Sequence, residues 1–85
     1  MPQLRDYNYV VHHYGDHDVV FEISDKDETG TTKYYGFLAS DGSWIIQAWD
    51  TVADTFRYCK GTADYTVSWG LRASLTYVYY NQLLP

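Results

Sequence analysis

KYYGFLA (33–39), SDGS (40–43), WIIQAW (44–49), DTVAD (50–54) and TFRYCK (55–60) decide the fold of this 85-residue chain. Three runs rich in aromatic and β-branched residues alternate with two short polar connections, the pattern of consecutive antiparallel strands. Asp41-Gly42 between apolar runs is a strong hairpin signal, because glycine accepts the positive φ that tight turns demand. The stretch is read as a three-stranded meander, with strands at 33–39, 43–49 and 55–60. A two-residue loop at Asp41-Gly42 sets Ala39 opposite Trp44, Phe37 opposite Ile46 and Tyr35 opposite Ala48. A five-residue loop at 50–54 sets Ala48 opposite Phe56 and Ile46 opposite Tyr58. Side chains alternate between faces with period two, so these eight residues are expected to share one apolar face.

The opposite face then carries Tyr34, Gly36, Leu38, Ile45, Gln47, Trp49, Thr55, Arg57 and Cys59. A sheet with one solvated face should be polar there, yet Tyr34, Leu38, Ile45 and Trp49 are not. Either the rest of the chain covers that face or a partner does. A contiguous exposed apolar surface is a mark of an interaction site. Tyr34, Leu38, Ile45, Trp49 and Arg57 are the expected protein-interface residues, since Trp, Tyr and Arg dominate interface hot spots.

Outward from the centre, 7–13 and 19–23 read as two further strands about a turn at Gly15-Asp16-His17, and the polar run 24–32 as a loop. After Gly61, Asp64 is placed to cap a short helix over 64–72, with Val67, Trp69 and Leu71 at its packing surface. A last strand is expected over 75–80, followed by a tail bearing Leu83 and Leu84. Pro2 and Pro85 are the prolines of the chain, so none interrupts an interior strand. The expectation is a single mainly β domain over 1–85. It is a small antiparallel sheet, or partly open barrel or sandwich, of about five or six strands.

Composition narrows the function. Ten Tyr, three Trp and three Phe favour both strands and binding surfaces. The net charge of −5 lies wholly in residues 1–30, where seven acids meet two bases. A phosphate-binding footprint is basic, so direct nucleic-acid binding is not expected. Asp16, Asp18, Glu22, Asp25, Asp27 and Glu28 offer instead an alternative acidic surface. Such a surface could stand in for phosphates and inhibit a nucleic-acid-binding host defence enzyme.

No cofactor and no metal are expected. His12, His13, His17, Asp16 and Asp18 are close in sequence, but His12 and His13 point to opposite faces of one strand. Asp25-Lys26-Asp27-Glu28-Thr29-Gly30 lacks the regular spacing and late Glu of a calcium loop. No phosphate-cradling glycine loop or nucleophile elbow occurs, and Cys59 has no adjacent base to activate it. The chain is read as non-enzymatic. Without an apolar stretch of spanning length or a secretory leader, it is expected in the producing cell's cytoplasm or in a particle assembled there.

Several spaced residues carry a resemblance: Lys33-Tyr34-Tyr35-Gly36-Phe37-Leu38, Asp41-Gly42-Ser43-Trp44-Ile45-Ile46, Phe56-Arg57-Tyr58, Asp64-Tyr65, Trp69, Arg72-Ala73-Ser74-Leu75 and Tyr77. Over residues 33–80 the chain resembles small uncharacterised aromatic-rich proteins of tailed phages. The resemblance implies a virion structural or accessory component, such as a head, neck or tail decoration or adaptor. Its partners would be copies of itself or other virion subunits. It assigns no active-site residue.

Overall fold

The computed structural model describes residues 9–14 and 17–83, with side chains from residue 20 onward. Five strands form one antiparallel sheet in chain order: β1 (Tyr9–Tyr14), β2 (His17–Asp27), β3 (Thr32–Ala39), β4 (Trp44–Asp50) and β5 (Thr55–Gly61). The chain is mainly β, as the run of aromatic and β-branched segments predicts. The turn expected at Gly15 and Asp16 lies outside the described residues; the strands flanking it pair Tyr14 with His17.

Both central hairpins are offset by one residue from the expected register. Leu38 faces Trp44, Phe37 faces Ile45 and Gly36 faces Ile46. The cause is the loop. Ala39 and Ser43 close it, with the Ala39 amide donating to the Ser43 carbonyl at 2.8 Å and the Gly42 amide to the Ala39 carbonyl at 3.0 Å. Three residues therefore make the connection, and Gly42 supplies the left-handed position (φ 94°) that a three-residue hairpin requires. The second loop has four residues rather than five, with Asp50 facing Thr55, Ile46 facing Cys59 and Trp49 facing Phe56.

A one-residue slip exchanges faces, so the apolar set is divided differently from the expectation. Phe21, Ile23, Tyr35, Phe37, Ala39, Ile45, Trp49, Phe56 and Tyr58 share one side, here called the open face. Tyr34, Gly36, Leu38, Trp44, Ile46, Arg57, Cys59 and Gly61 share the other, the helix face. Each face has its own core. Phe21, Phe37, Ala39, Ile45 and Leu83 cluster on the open face, and Trp44, Ile46 and Tyr65 on the helix face.

β2 runs four residues into the predicted loop. Its pairing with β3 is interrupted between Ile23 and Asp25, where Ser24 is an extra residue. Simple alternation would set Asp25 and Asp27 beside Phe21 and Ile23. The bulge inverts the phase and delivers both carboxylates to the helix face, opposite Gly36 and Tyr34.

The remaining chain wraps one sheet edge. Helix α1 (Tyr65–Gly70) and a 3-10 turn (Arg72–Ser74) cover the helix face. Asp64 occupies the cap position but makes no side-chain cap; its carbonyl accepts from the Ser68 amide at 3.0 Å. The helix buries Tyr65 and half-buries Trp69, a four-residue spacing, whereas Val67 and Leu71 are exposed. The strand expected over 75–80 does not form. Val78 alone bridges Tyr58, through two 2.8 Å hydrogen bonds at the outer edge of β5. A second 3-10 turn (Tyr80–Gln82) then brings Leu83 under the open face.

Candidate functional site

The expected interface residues fall on both faces. Tyr34, Leu38 and Arg57 lie on the helix face, Ile45 and Trp49 on the open face. Tyr34 and Leu38 pack against the Trp44–Ile46–Tyr65 core. Ile45 is 2% exposed and belongs to the other core. The Arg57 guanidinium sits over the Tyr79 ring, 4.1 Å from its centroid. Those five do not form one surface, and the helix answers the question of what covers Tyr34 and Leu38.

Trp49 is the exception. Because the β4–β5 loop has four residues, Trp49 stands directly opposite Phe56. Their rings stack nearly parallel, with centroids 5.4 Å apart and planes 9° from each other. The Trp49 indole N–H donates to Asp54 Oδ1 at 3.2 Å. Asp54 takes the left-handed conformation (φ 57°) and closes the loop beneath the ring. Asp50 Oδ1 accepts from the amides of Val52 and Ala53, which stiffens the same loop. Val52 at its tip is 83% exposed, and Phe56 is 41% exposed.

The aromatic surface continues along β5. Tyr58 lies two residues from Phe56 on the same face, receives a hydrogen bond from Gln47 Nε2 at 3.0 Å, and meets Tyr80 edge-on at 5.1 Å. Tyr80 is itself exposed. Trp49, Phe56, Tyr58 and Tyr80 thus make an aromatic shelf along the open face, with Val52 exposed at the tip of the adjoining loop. Pairing Trp49 with Phe56 depended on a loop length that the sequence reading set one residue too long.

Of the expected acidic surface, Asp25, Asp27 and Glu28 are engaged within the chain. Asp25 Oδ2 accepts from the Tyr65 hydroxyl at 2.8 Å. Asp27 Oδ2 accepts from Arg72 Nη2 at 2.8 Å and Nε at 3.2 Å, and its Oδ1 accepts from the Thr29 hydroxyl and amide. The Thr29 hydroxyl, then Arg72, hold the Asp27 carboxyl down at about 2. Glu28 accepts from the Tyr35 hydroxyl at 2.8 Å, which lowers the carboxyl; burial, then the carboxylate, pushes Tyr35 up to about 12. Glu22 faces Leu38 and is exposed. Asp16 lies outside the described residues, as does the side chain of Asp18.

Arg72 is the hub of this network. Besides Asp27 it donates to the Trp69 carbonyl at 2.9 Å and lies 4.6 Å from the Trp69 ring centroid. The pieces close around glycine. A Cβ on Gly36 would fall 2.0 Å from the Tyr65 oxygen, and one on Gly61 would fall 2.3 Å from the Trp44 ring. The arrangement fastens the helix to the sheet.

No group of three or more His, Cys, Asp or Glu side chains that could hold a metal occurs among the described residues. The histidine cluster of the first hairpin falls where side chains are not described. Cys59 is half-buried on the helix face, and burial pushes its thiol up, away from the reactive thiolate. No described helix is long and apolar enough to cross a membrane. No protein-family model matches the chain, and neither the curated proteins nor the solved structures give a match.

Proposed function

We propose that this chain is a non-enzymatic protein-binding subunit that contacts its partner through the shelf of Val52, Trp49, Phe56, Tyr58 and Tyr80. The observation that carries the reading is the parallel Trp49–Phe56 pair, held rigid by its hairpin and left partly exposed. Rigid aromatics bury much apolar area on contact and lose little conformational freedom, which is why Trp, Tyr and Phe concentrate at interface centres. The setting we propose is a phage particle, where the subunit would serve as a decoration or adaptor; the resemblance over residues 33–80 supports that setting. The acidic-inhibitor alternative draws less support, because Asp25, Asp27 and Glu28 already bind Tyr65, Arg72 and Tyr35.

The test is site-specific crosslinking in the producing cell. A photoreactive residue at position 56 should capture a defined protein, while one at the exposed Asp41 should not. The capture should disappear in Trp49→Ala. Equal capture from both positions would sink the reading.

A further inference from the structure

We infer that β1 is an assembly edge that pairs antiparallel with β1 of a second copy, joining two five-stranded sheets about a two-fold axis normal to the sheet. The two ends of the sheet are built differently. At the β5 end the chain blocks its own edge: Val78 takes up the Tyr58 amide and carbonyl, and Arg57 and Lys60 put charge on the strand. At the β1 end, no strand among the described residues lies outside β1.

Edge strands ordinarily deter pairing through proline, lysine or other charges, a bulge, or very short length. β1 reads Tyr-Val-Val-His-His-Tyr over six residues, with no proline and no permanently charged residue, and its ladder with β2 is unbroken. Absence of charge also favours a copy of itself as occupant. Antiparallel self-pairing sets each residue opposite a member of the same short list, and like charges so placed repel. A two-fold contact needs only this one strand as its surface. One strand inward, Val20 is 48% exposed beside this edge. The two-fold axis would carry the Val20 residues of both copies to the same side of the joined sheet. This contact is separate from the aromatic shelf, so either can fail alone.

The experiment is the mass of the full chain in solution as concentration rises, by light scattering behind a sizing column. The wild type should move from one chain mass to twice that mass. H12K/H13K should stay at one chain mass with an unchanged circular dichroism spectrum. Within the chain, positions 12 and 13 pair with Val19 and Asp18, neither of them basic, while a second copy meets like charge. A single-chain mass for the wild type up to its solubility limit overturns the inference, as does a dimer that survives H12K/H13K. A dimer lost in W49A/F56A but kept in H12K/H13K overturns it too, and moves the contact to the shelf. Should H12K/H13K lose its fold, hydrogen exchange of the wild type decides. Amides of β1 must slow as the dimer forms, and unchanged exchange there overturns the edge pairing.

Discussion

The two faces of this sheet are closed by different means. On the helix face, large rings seat on glycines: the Tyr65 hydroxyl over Gly36 and the Trp44 indole over Gly61. Hydrogen bonds pin them there, Tyr65 to Asp25 and the Trp44 indole N–H to the Ala63 carbonyl at 2.7 Å. On the open face Leu83, with Val78 beside it, packs on the cluster of Phe21, Phe37 and Ile45, which does not extend to Trp49 and Phe56. Close ring-to-backbone contact fills the helix face, whereas Trp49 and Phe56 stay partly exposed on the open face. On the proposed reading, substitutions under the helix should cost stability, and those at Trp49 and Phe56 should cost partner binding.

The sharpest contrast is Ile46→Ala against Phe56→Ala. Ile46 is fully buried, so its truncation should cost about 2–5 kcal/mol. Phe56→Ala loses a partly exposed stacking partner and should cost about 0.5–1.5 kcal/mol, while weakening partner binding on the proposed reading. Urea denaturation read by circular dichroism measures both, and equal costs would erase the distinction between faces.

Next is Gly36→Ala, in which the added methyl meets the Tyr65 hydroxyl; overpacking of this kind costs about 1–3 kcal/mol. Tyr65→Phe removes the offending oxygen together with its bond to Asp25. The double variant should therefore lose less than the sum of the single losses. Strict additivity would show that the ring does not sit on the glycine.

Arg72→Ala should lower the melting temperature by a smaller amount, since the Asp27 pair is only partly shielded from water. This pair also sets an acid limit. The Asp27 carboxyl is lowered from 3.8 to about 2 in the folded chain. Its stabilisation is therefore fully present above pH 4 and is lost as pH falls through the folded value. Asp27→Asn should flatten the fall in melting temperature between pH 4 and pH 2. The smallest effect belongs to Val52→Ser at the loop tip, within about 0.5 kcal/mol, with partner capture weakened.

Much of this was legible in the residues. Aromatic and β-branched runs broken at Gly42 and at 50–54 announced the meander, and Asp64 marked the start of the helix, whose end falls at Gly70 rather than at 72. Register was not, because it turns on loop length to a single residue. Asp-Gly serves a two-residue turn and, with Ser40, a three-residue turn equally well, and only the packing of both faces selects between them. With the register went the site: Ile45 moved inward, Tyr34 and Leu38 went under the helix, and Trp49 found Phe56. The late strand failed for another reason. Residues 75–80 are β-prone, but only Val78 bridges β5, and a 3-10 turn already begins at Tyr80.

The irregularity at Ser24 bears on how the molecule comes apart. By switching phase midway, β2 sends Phe21 into one layer and Asp25 and Asp27 into the other. One eleven-residue strand is therefore a common rivet for both layers. Detaching it strips the apolar cluster around Phe21 and the helix anchor in the same event. The described layers should accordingly melt as one unit, with the slowest-exchanging amides in β2 and β3 rather than in either covering segment.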